Sequence, residues 1–247
     1  MSKKYSSADD AVYTDDFDDV LAVLSGPSPW RAFIEPNLKQ MHSKLSRASF
    51  QVVGEKDYQA VLDRLKITGN ARSIPGVTDK YHQTITMLEY KGQNSGQSYL
   101  GASLHECVHL VSHPVDANTS DHSTAIQFLG VGLLEGLVEC VTEDILVAQS
   151  IPLVKDTKKR GHQERERIVR AMFQDVTADW GNLLFQGQQQ PFVSTMEQTY
   201  SPTGWQHLKN IAGAANDVLA LQLMANFKKQ QQAKAPRVVK VPVPVFR

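Results

Sequence analysis

Several features that define large protein classes are missing from this chain of 247 residues. It has no excess of either charge: Lys+Arg and Asp+Glu both total 26, so the formal net charge is zero. Nucleic-acid binders draw their affinity from a basic surface, and no nucleic-acid partner is expected here. Cysteine is scarce, with only Cys107 and Cys140. Two cysteines do not make a disulfide framework. Both fall in apolar helical patterns and read as small buried hydrophobes of a chain folding in a reducing compartment. The longest apolar run, around Ala125–Leu134, is too short and too broken to span a bilayer, so no membrane span is expected. Trp30, Trp180 and Trp205 are scattered, as core or interface anchors are, and do not form a base-stacking platform. No Gly-rich phosphate loop and no serine or cysteine nucleophile motif is present. The first residues, MSKKYSSADD, place two lysines ahead of no apolar core. The expectation is therefore no secretory signal and a chain that is cytoplasmic as synthesised, exported, if at all, by a non-classical or delivery-machine route.

What is present is largely helical patterning, on a chain long enough to bury one good-sized core. Residues 1–20 are rich in Ser and Asp, and the first dozen are expected to be disordered. Apolar spacing predicts a short helix over Asp16–Leu24, ended by Gly26-Pro27, and an amphipathic one from Pro36 to about Leu45. Phe50–Val53 reads as a strand closed by Gly54, and Glu55–Leu65 as a helix. Gly76-Val77 opens an extended stretch, and Gln83–Leu88 alternates polar and apolar residues as a half-buried strand does. Gly92–Gly96 is a turn. Ser98–Ser112 is then one helix, stopped by Pro114. Val115–Asp121 is a polar loop, and Ser120 or Asp121 caps a long helix over Ser123–Gln149. Lys155–Arg160 is a basic linker. Helices follow over Gln163–Asp175 and Thr177–Phe185, then an exposed glutamine-rich loop at Gln186–Gln190, then helices over Pro202–Ile211 and Ala214–Lys229. Lys158-Lys159-Arg160 with Arg165, Arg167 and Arg170, interrupted by Glu164 and Glu166, reads as a solvated helix face with i, i+4 ion pairs. The tail, KAPRVVKVPVPVFR, alternates valine with proline and lysine. Its prolines bar it from a central strand, so it is either an extended arm against a protein partner or a disordered end.

The chemistry concentrates in one segment, Leu104-His105-Glu106-Cys107-Val108-His109. This is an HExxH. Two histidines four apart project from one face of a helix and can grip one ion, zinc above all. Glu106, one step round the helix, is placed to take a proton from a water on that ion, whose charge brings the water's pKa toward neutrality. A catalytic zinc needs a third protein ligand and an open position. The candidates lie in the next long helix, LLEGLVECVTE, where an acidic residue among apolar ones is costly unless paired or metal-bound. Glu135 and Glu139 are one turn apart on one face, as are Glu139 and Glu143, so one can ligate while another orients a ligating histidine. Gly136 leaves room for a second backbone to pass closely. Cys107, two residues from His105, points away from the ion.

HECVH followed by LLEGLVECVTE resembles the zincin metallopeptidases, and among them the glutamate-zincins, in which HExxH on one helix is followed by a glutamate ligand on a second. The resemblance covers roughly Phe50–Gln149. It implies His105, His109 and Glu135 as ligands of one Zn2+, Glu139 as support for the first histidine, and Glu106 as general base in hydrolysis of a polypeptide substrate. It implies an α+β, mainly helical fold, with a small N-terminal sheet packed on the HExxH helix and a helical C-terminal half. It also implies a strand along the cleft edge, antiparallel to bound substrate, and Gln83–Leu88 takes that place in the chain. The domain division that goes with this is an N-terminal segment at 1–45, partly disordered, a zincin-like domain at 46–229, and the Val/Pro-rich tail at 230–247. The subclass with HExxHxxGxxH is not matched: His113 has the wrong spacing and reads as a helix-end residue, and His122 as part of a cap. An oxyanion donor is open among His162, Tyr200 and His207. Two other functions remain in view, a non-catalytic zincin fold serving as a structural or adaptor component, and a zinc amidase acting on a non-protein amide. A delivered toxin and a housekeeping peptidase fit the sequence equally.

Overall fold

The computed structural model describes residues 13–41, 50–68, 74–79, 82, 84–89, 98–112, 124–152, 160–176, 179–186 and 189–234. Strand β1 (Tyr13–Thr14) leads into helix α1 (Phe17–Leu24), whose first turn is capped where the Asp16 carboxylate accepts from the backbone N–H of Asp18. Helix α2 spans Arg31–Met41, so it begins ahead of Pro36 and contains it. Pro36 is exposed, and the carbonyl of Ala32 that its missing N–H leaves without a helical partner belongs to an exposed residue too. That position is what makes an interior proline tolerable. The expected end at Leu45 lies outside the described residues.

Strand β2 (Phe50–Val53), helix α3 (Glu55–Arg64), and strands β3 (Gly76–Asp79) and β4 (Thr84–Leu88) follow. The sheet order is β2-β4-β3, with β2 parallel and β3 antiparallel to β4. The segment expected at the cleft edge therefore lies in the middle of the sheet, and among the described residues β3 is an edge strand in its place. The reason is topological. An alternating pattern shows that a strand has two different faces, but not which neighbours it pairs with. Ile85 and Met87 point to the main core, while Val77 joins Tyr58 and Leu62 of α3 in a small cluster on the other face.

Strand β5 (Ser98–Tyr99) pairs antiparallel with β1, taking the first two residues of the expected helix. Helix α4 (Leu100–Val111) then runs through the core with nearly every side chain buried. Helix α5 (Thr124–Ala148) is interrupted at Gly130, whose φ of 71° departs from the single helix expected. Helices α6 (Arg160–Asp175), α7 (Trp180–Gln186), α8 (Gln189–Tyr200), α9 (Pro202–Gly213) and α10 (Asp217–Lys234) complete the described chain. The described chain is mainly helical, with the small sheet lying against α4, α6 and α9 against α5, α7 against α2, and α10 against α9 and α6. Side chains of α1 and α2, including Phe17, Val20, Leu24 and Ile34, belong to the same core as α4 to α6.

Helix α8 takes in the last two residues of the expected glutamine-rich loop and continues through a stretch for which no element was expected. Its Ser, Thr and Val content is weak for a helix. Phe192, Met196 and Tyr200 nevertheless line up every fourth residue as a buried stripe. The hydroxyls of Thr195 and Thr199 donate back to the carbonyls of Pro191 and Thr195, which satisfies them inside the helix. Helix α10 begins later than Ala214 because Ala215 has a positive φ and the Asn216 side chain accepts from Leu219 N–H as a cap. It continues to Lys234, so the start of the expected tail is helical. The remainder of the tail lies outside the described residues, as do Gly92–Gly96, Val115–Asp121, His113, His122 and the linker up to Lys159.

The arginines of α6 do more than solvate a face. Arg165 donates to the carbonyls of Ala212 and Gly213 on α9, Arg167 pairs with Asp217 of α10, and Arg170 reaches Asp144 on α5 as well as Glu166 on its own helix. Trp30 Nε1 donates to the same Asp144 at 2.8 Å, which ties α2 to this network.

Candidate metal centre

The site is built by α4 and α5. On α4 the 3.6-residue repeat puts His105 and His109 on one side one turn apart, and both are buried, at 4% and 9% exposure. On α5 the same repeat aligns Glu135 with Glu139. The helix is apolar elsewhere because it passes through the core, with Leu133, Leu134, Leu137, Val138, Cys140 and Val141 all buried. Gly136 sets how close α6 comes. A Cβ there would stand 2.6 Å from the carbonyl oxygen of Arg165, so the α6 backbone crosses α5 directly beside Glu135.

The side chains converge closely. His105 Nε2 lies 3.1 Å from His109 Nε2 and 3.3 Å from Glu135 Oε2, and His109 Nε2 lies 3.3 Å from Glu135 Oε1. On the other flank of its ring, His105 Nδ1 is 2.8 Å from Glu139 Oε2. A carboxylate at Nδ1 holds a hydrogen there, which would leave the lone pair of Nε2 on the His109 and Glu135 side for a metal ion. Tetrahedral zinc with bonds of about 2.0–2.1 Å needs its donor atoms about 3.3 Å apart. Each histidine nitrogen is near that spacing from a different oxygen of Glu135, the three ligand atoms lie within 4.8 Å of one another, and two imidazoles with a carboxylate are a donor set zinc accepts.

A second overlapping group is formed by His105, Glu139 and His162. Its spacing is uneven. The His105 Nδ1–Glu139 separation is that of a hydrogen bond, and His162 Nδ1 stands 3.9 Å from the same Glu139 oxygen. The two groups share His105, whose Nε2 faces the Glu135 group and whose Nδ1 faces Glu139. Glu143, the third acidic candidate, lies near α6, 3.8 Å from Arg170 Nη2.

The charges show the same demand. Burial acts to lower the His105 pKa, but hydrogen bonds to Glu135 and Glu139 overcome it and push it up to about 10. Burial likewise works to raise Glu135, and the two histidines hold it well below the ordinary carboxylate range. A buried pocket with two carboxylates and two imidazoles calls for a positive charge, from a proton or from a metal ion.

Glu106 is half-buried on the side of α4 that faces β3. The Thr78 hydroxyl is 2.7 Å from its Oε2 and 2.9 Å from its main-chain oxygen. No motif marks Thr78, which is 28 positions away in sequence. Cys107 is buried in the core, and burial followed by the charge of Glu106 keeps its thiol well above the ordinary range.

Of the three candidate oxyanion donors, only His162 is near. Its ring packs edge-on against His105 at 5.4 Å, and its Nδ1 approaches Glu139. Tyr200 is core, packed edge-on against Phe227 of α10, and His207 is exposed on α9. Comparison of the chain with family models, with curated proteins and with solved structures finds no match.

Proposed function

We propose that this chain is a zinc-dependent metallopeptidase of the zincin type, with His105, His109 and Glu135 as the ligands of one zinc ion and Glu106 as general base. The observation that carries the reading is the convergence of His105 Nε2, His109 Nε2 and the Glu135 carboxylate at 3.1–3.3 Å on two helices whose sequences carry HExxH and EG. The small sheet beside the HExxH helix supports it.

When bound, zinc supplies a Lewis acid that polarises the scissile carbonyl and brings a water's pKa toward neutrality. The remaining roles fall to the chain. Glu139 accepts from His105 Nδ1 and keeps the opposite nitrogen free to ligate. Glu106 takes a proton from water and returns it to the leaving amine. The edge strand β3, which lies against α4 at Glu106, offers a place for a polypeptide substrate in extended form.

The test uses purified full-length protein and fluorescently labelled casein. Hydrolysis that needs zinc, stops with a chelator and falls to background in Glu106→Gln, with zinc affinity kept, is the expected result. Full activity in Glu106→Gln rules the mechanism out. The deep burial of both histidines favours a second reading, in which the metal only locks α4 to α5 in a structural or adaptor protein. Tight zinc binding that raises thermal stability, with no hydrolysis of any polypeptide or of non-protein amides, favours that reading.

A further inference from the structure

The geometry points to β3 as a clasp for Glu106, with Thr78 a positioning residue that fixes its carboxylate and Gly76 the opening through which its stem passes. This rests on the reading of Glu106 as the base.

Two independent features of β3 lead there. Gly76 and Thr78 alternate with Val77 along the strand and so share one face, the one toward α4, whereas Val77 packs with Tyr58 on the other. At Gly76 a Cβ would stand 2.7 Å from Met87 Cε and Sδ and 2.8 Å from Glu106 Cγ, closer than side-chain atoms come without displacement, so the glycine makes room for both side chains. At Thr78 the hydroxyl meets the end of the same side chain, 2.7 Å from Oε2. The strand thus leaves space for the middle of Glu106 and grips its tip.

The hydroxyl has one hydrogen and two acceptors within reach. The main-chain oxygen of Glu106 lies inside α4, where it already takes the helical bond from residue 110. The carboxylate is the shorter contact and the charged one, so it takes the hydrogen. That hydrogen bond lowers the basicity of Oε2, and Oε1 is the oxygen favoured to take the proton. In the base step the water O–H bond breaks, an Oε1–H bond forms, and the hydroxide pair goes to the scissile carbonyl carbon. A glutamate has three side-chain torsions, and holding them in one arrangement keeps that oxygen in place between turnovers. Glu106 and Met87 together leave room only for a glycine at position 76, and the clasp accounts for the hydroxyl at position 78.

The test reads the clasp with and without turnover. Side-chain scalar couplings of Glu106, measured by NMR on the full-length protein, are expected to report one rotamer in wild type and in Thr78→Ser. They are expected to report averaging in Thr78→Val, which keeps the shape and loses the hydroxyl. Gly76→Ala should shift the couplings to a different rotamer. Zinc affinity, measured by competition with a chromophoric chelator, should change less than about twofold in Thr78→Val, while kcat on labelled casein falls about 10- to 100-fold with little change in KM and recovers in Thr78→Ser. A single unchanged rotamer in Thr78→Val overturns the inference. So does a Thr78→Ser variant as averaged as Thr78→Val, because the methyl group would then be the cause. Averaged couplings with unchanged kcat overturn it as well. Couplings as expected, but no zinc binding and no hydrolysis in wild type, overturn instead the reading of Glu106 as a base.

Discussion

Gly136→Ala is the most informative single change to the scaffold, because it touches the metal centre only through packing. The added methyl group would lie 2.6 Å from the Arg165 carbonyl oxygen and 2.7 Å from its carbon. Both are main-chain atoms of α6, so no side chain can swing aside. Restoring an ordinary contact requires α6 to move away by about 0.8 Å, and α6 is fastened through Arg165 to α9, Arg167 to α10 and Arg170 to Asp144. Because the atoms met are main-chain and cannot yield, the upper half of the usual overpacking cost, about 2–3 kcal/mol, applies, while alanine improves helix propensity by about 1 kcal/mol. The net loss is about 1–2 kcal/mol, which lowers Tm by about 2–8 °C for a chain of this size. Gly101→Ala is the control. It is also helical, but its Cβ would meet only Leu146 Cδ1 at an ordinary 3.7 Å, so Tm should stay level or rise. Calorimetric scans of both variants settle the matter. A Gly136→Ala variant that melts with or above wild type refutes the close crossing of α5 and α6 and the positioning of Glu135 argued from it.

Glu139→Gln keeps an acceptor for His105 Nδ1 but removes the charge, and zinc affinity should fall about 10-fold; Glu139→Ala removes both, and should cost about 100-fold, read by chelator competition. The Glu143 carboxyl is pushed up to about 8 by burial and by its hydrogen bond with Glu166. Its folded pKa lies above the unfolded one near 4.5, so between those values the folded chain holds a proton that the unfolded chain has released. Stability from this group is therefore complete below about 4.5 and is lost as pH rises through about 8. Urea midpoints at pH 5 and pH 9 should show a smaller drop in Glu143→Gln than in wild type; equal drops contradict the assignment. His162→Ala should leave the metal bound, since His162 flanks Glu139 rather than the Glu135 group, and loss of zinc from that variant would speak for the alternative ligand set.

How much of this was legible in the sequence depends on how local each signal is. The histidine pair and the glutamates of α5 announce themselves because helical periodicity is a property of a few residues, and buried acids in an apolar helix stand out. Gly136 could be read as a point of close approach for the same reason, although the backbone it faces, that of Arg165, could not be named. The division of labour between Glu135 and Glu139 depends on which flank of the His105 ring each meets, and that is set by the packing of α4 on α5. Strand order is less legible still. Gln83–Leu88 has the pattern of a half-buried strand, yet pairing on both sides with β2 and β3 makes it central and hands the edge beside Glu106 to β3. Thr78 carries no motif, and only that tertiary placement brings its hydroxyl to Glu106. Helix α8 was hidden by residues of weak helix propensity, and its buried stripe of Phe192, Met196 and Tyr200 overrides them. The arginines of α6 look solvated in sequence because their partners, Asp144, Asp217 and the end of α9, lie on other helices.

The central claim is that one zinc ion is held by His105, His109 and Glu135. The most direct measurement is a crystal structure of the zinc-loaded protein with anomalous data collected at the zinc edge. A single anomalous peak bonded to His105 Nε2, His109 Nε2 and a Glu135 oxygen, with Glu139 on His105 Nδ1, is the predicted result. A peak among His105 Nδ1, Glu139 and His162, or no peak at stoichiometric zinc, would contradict it.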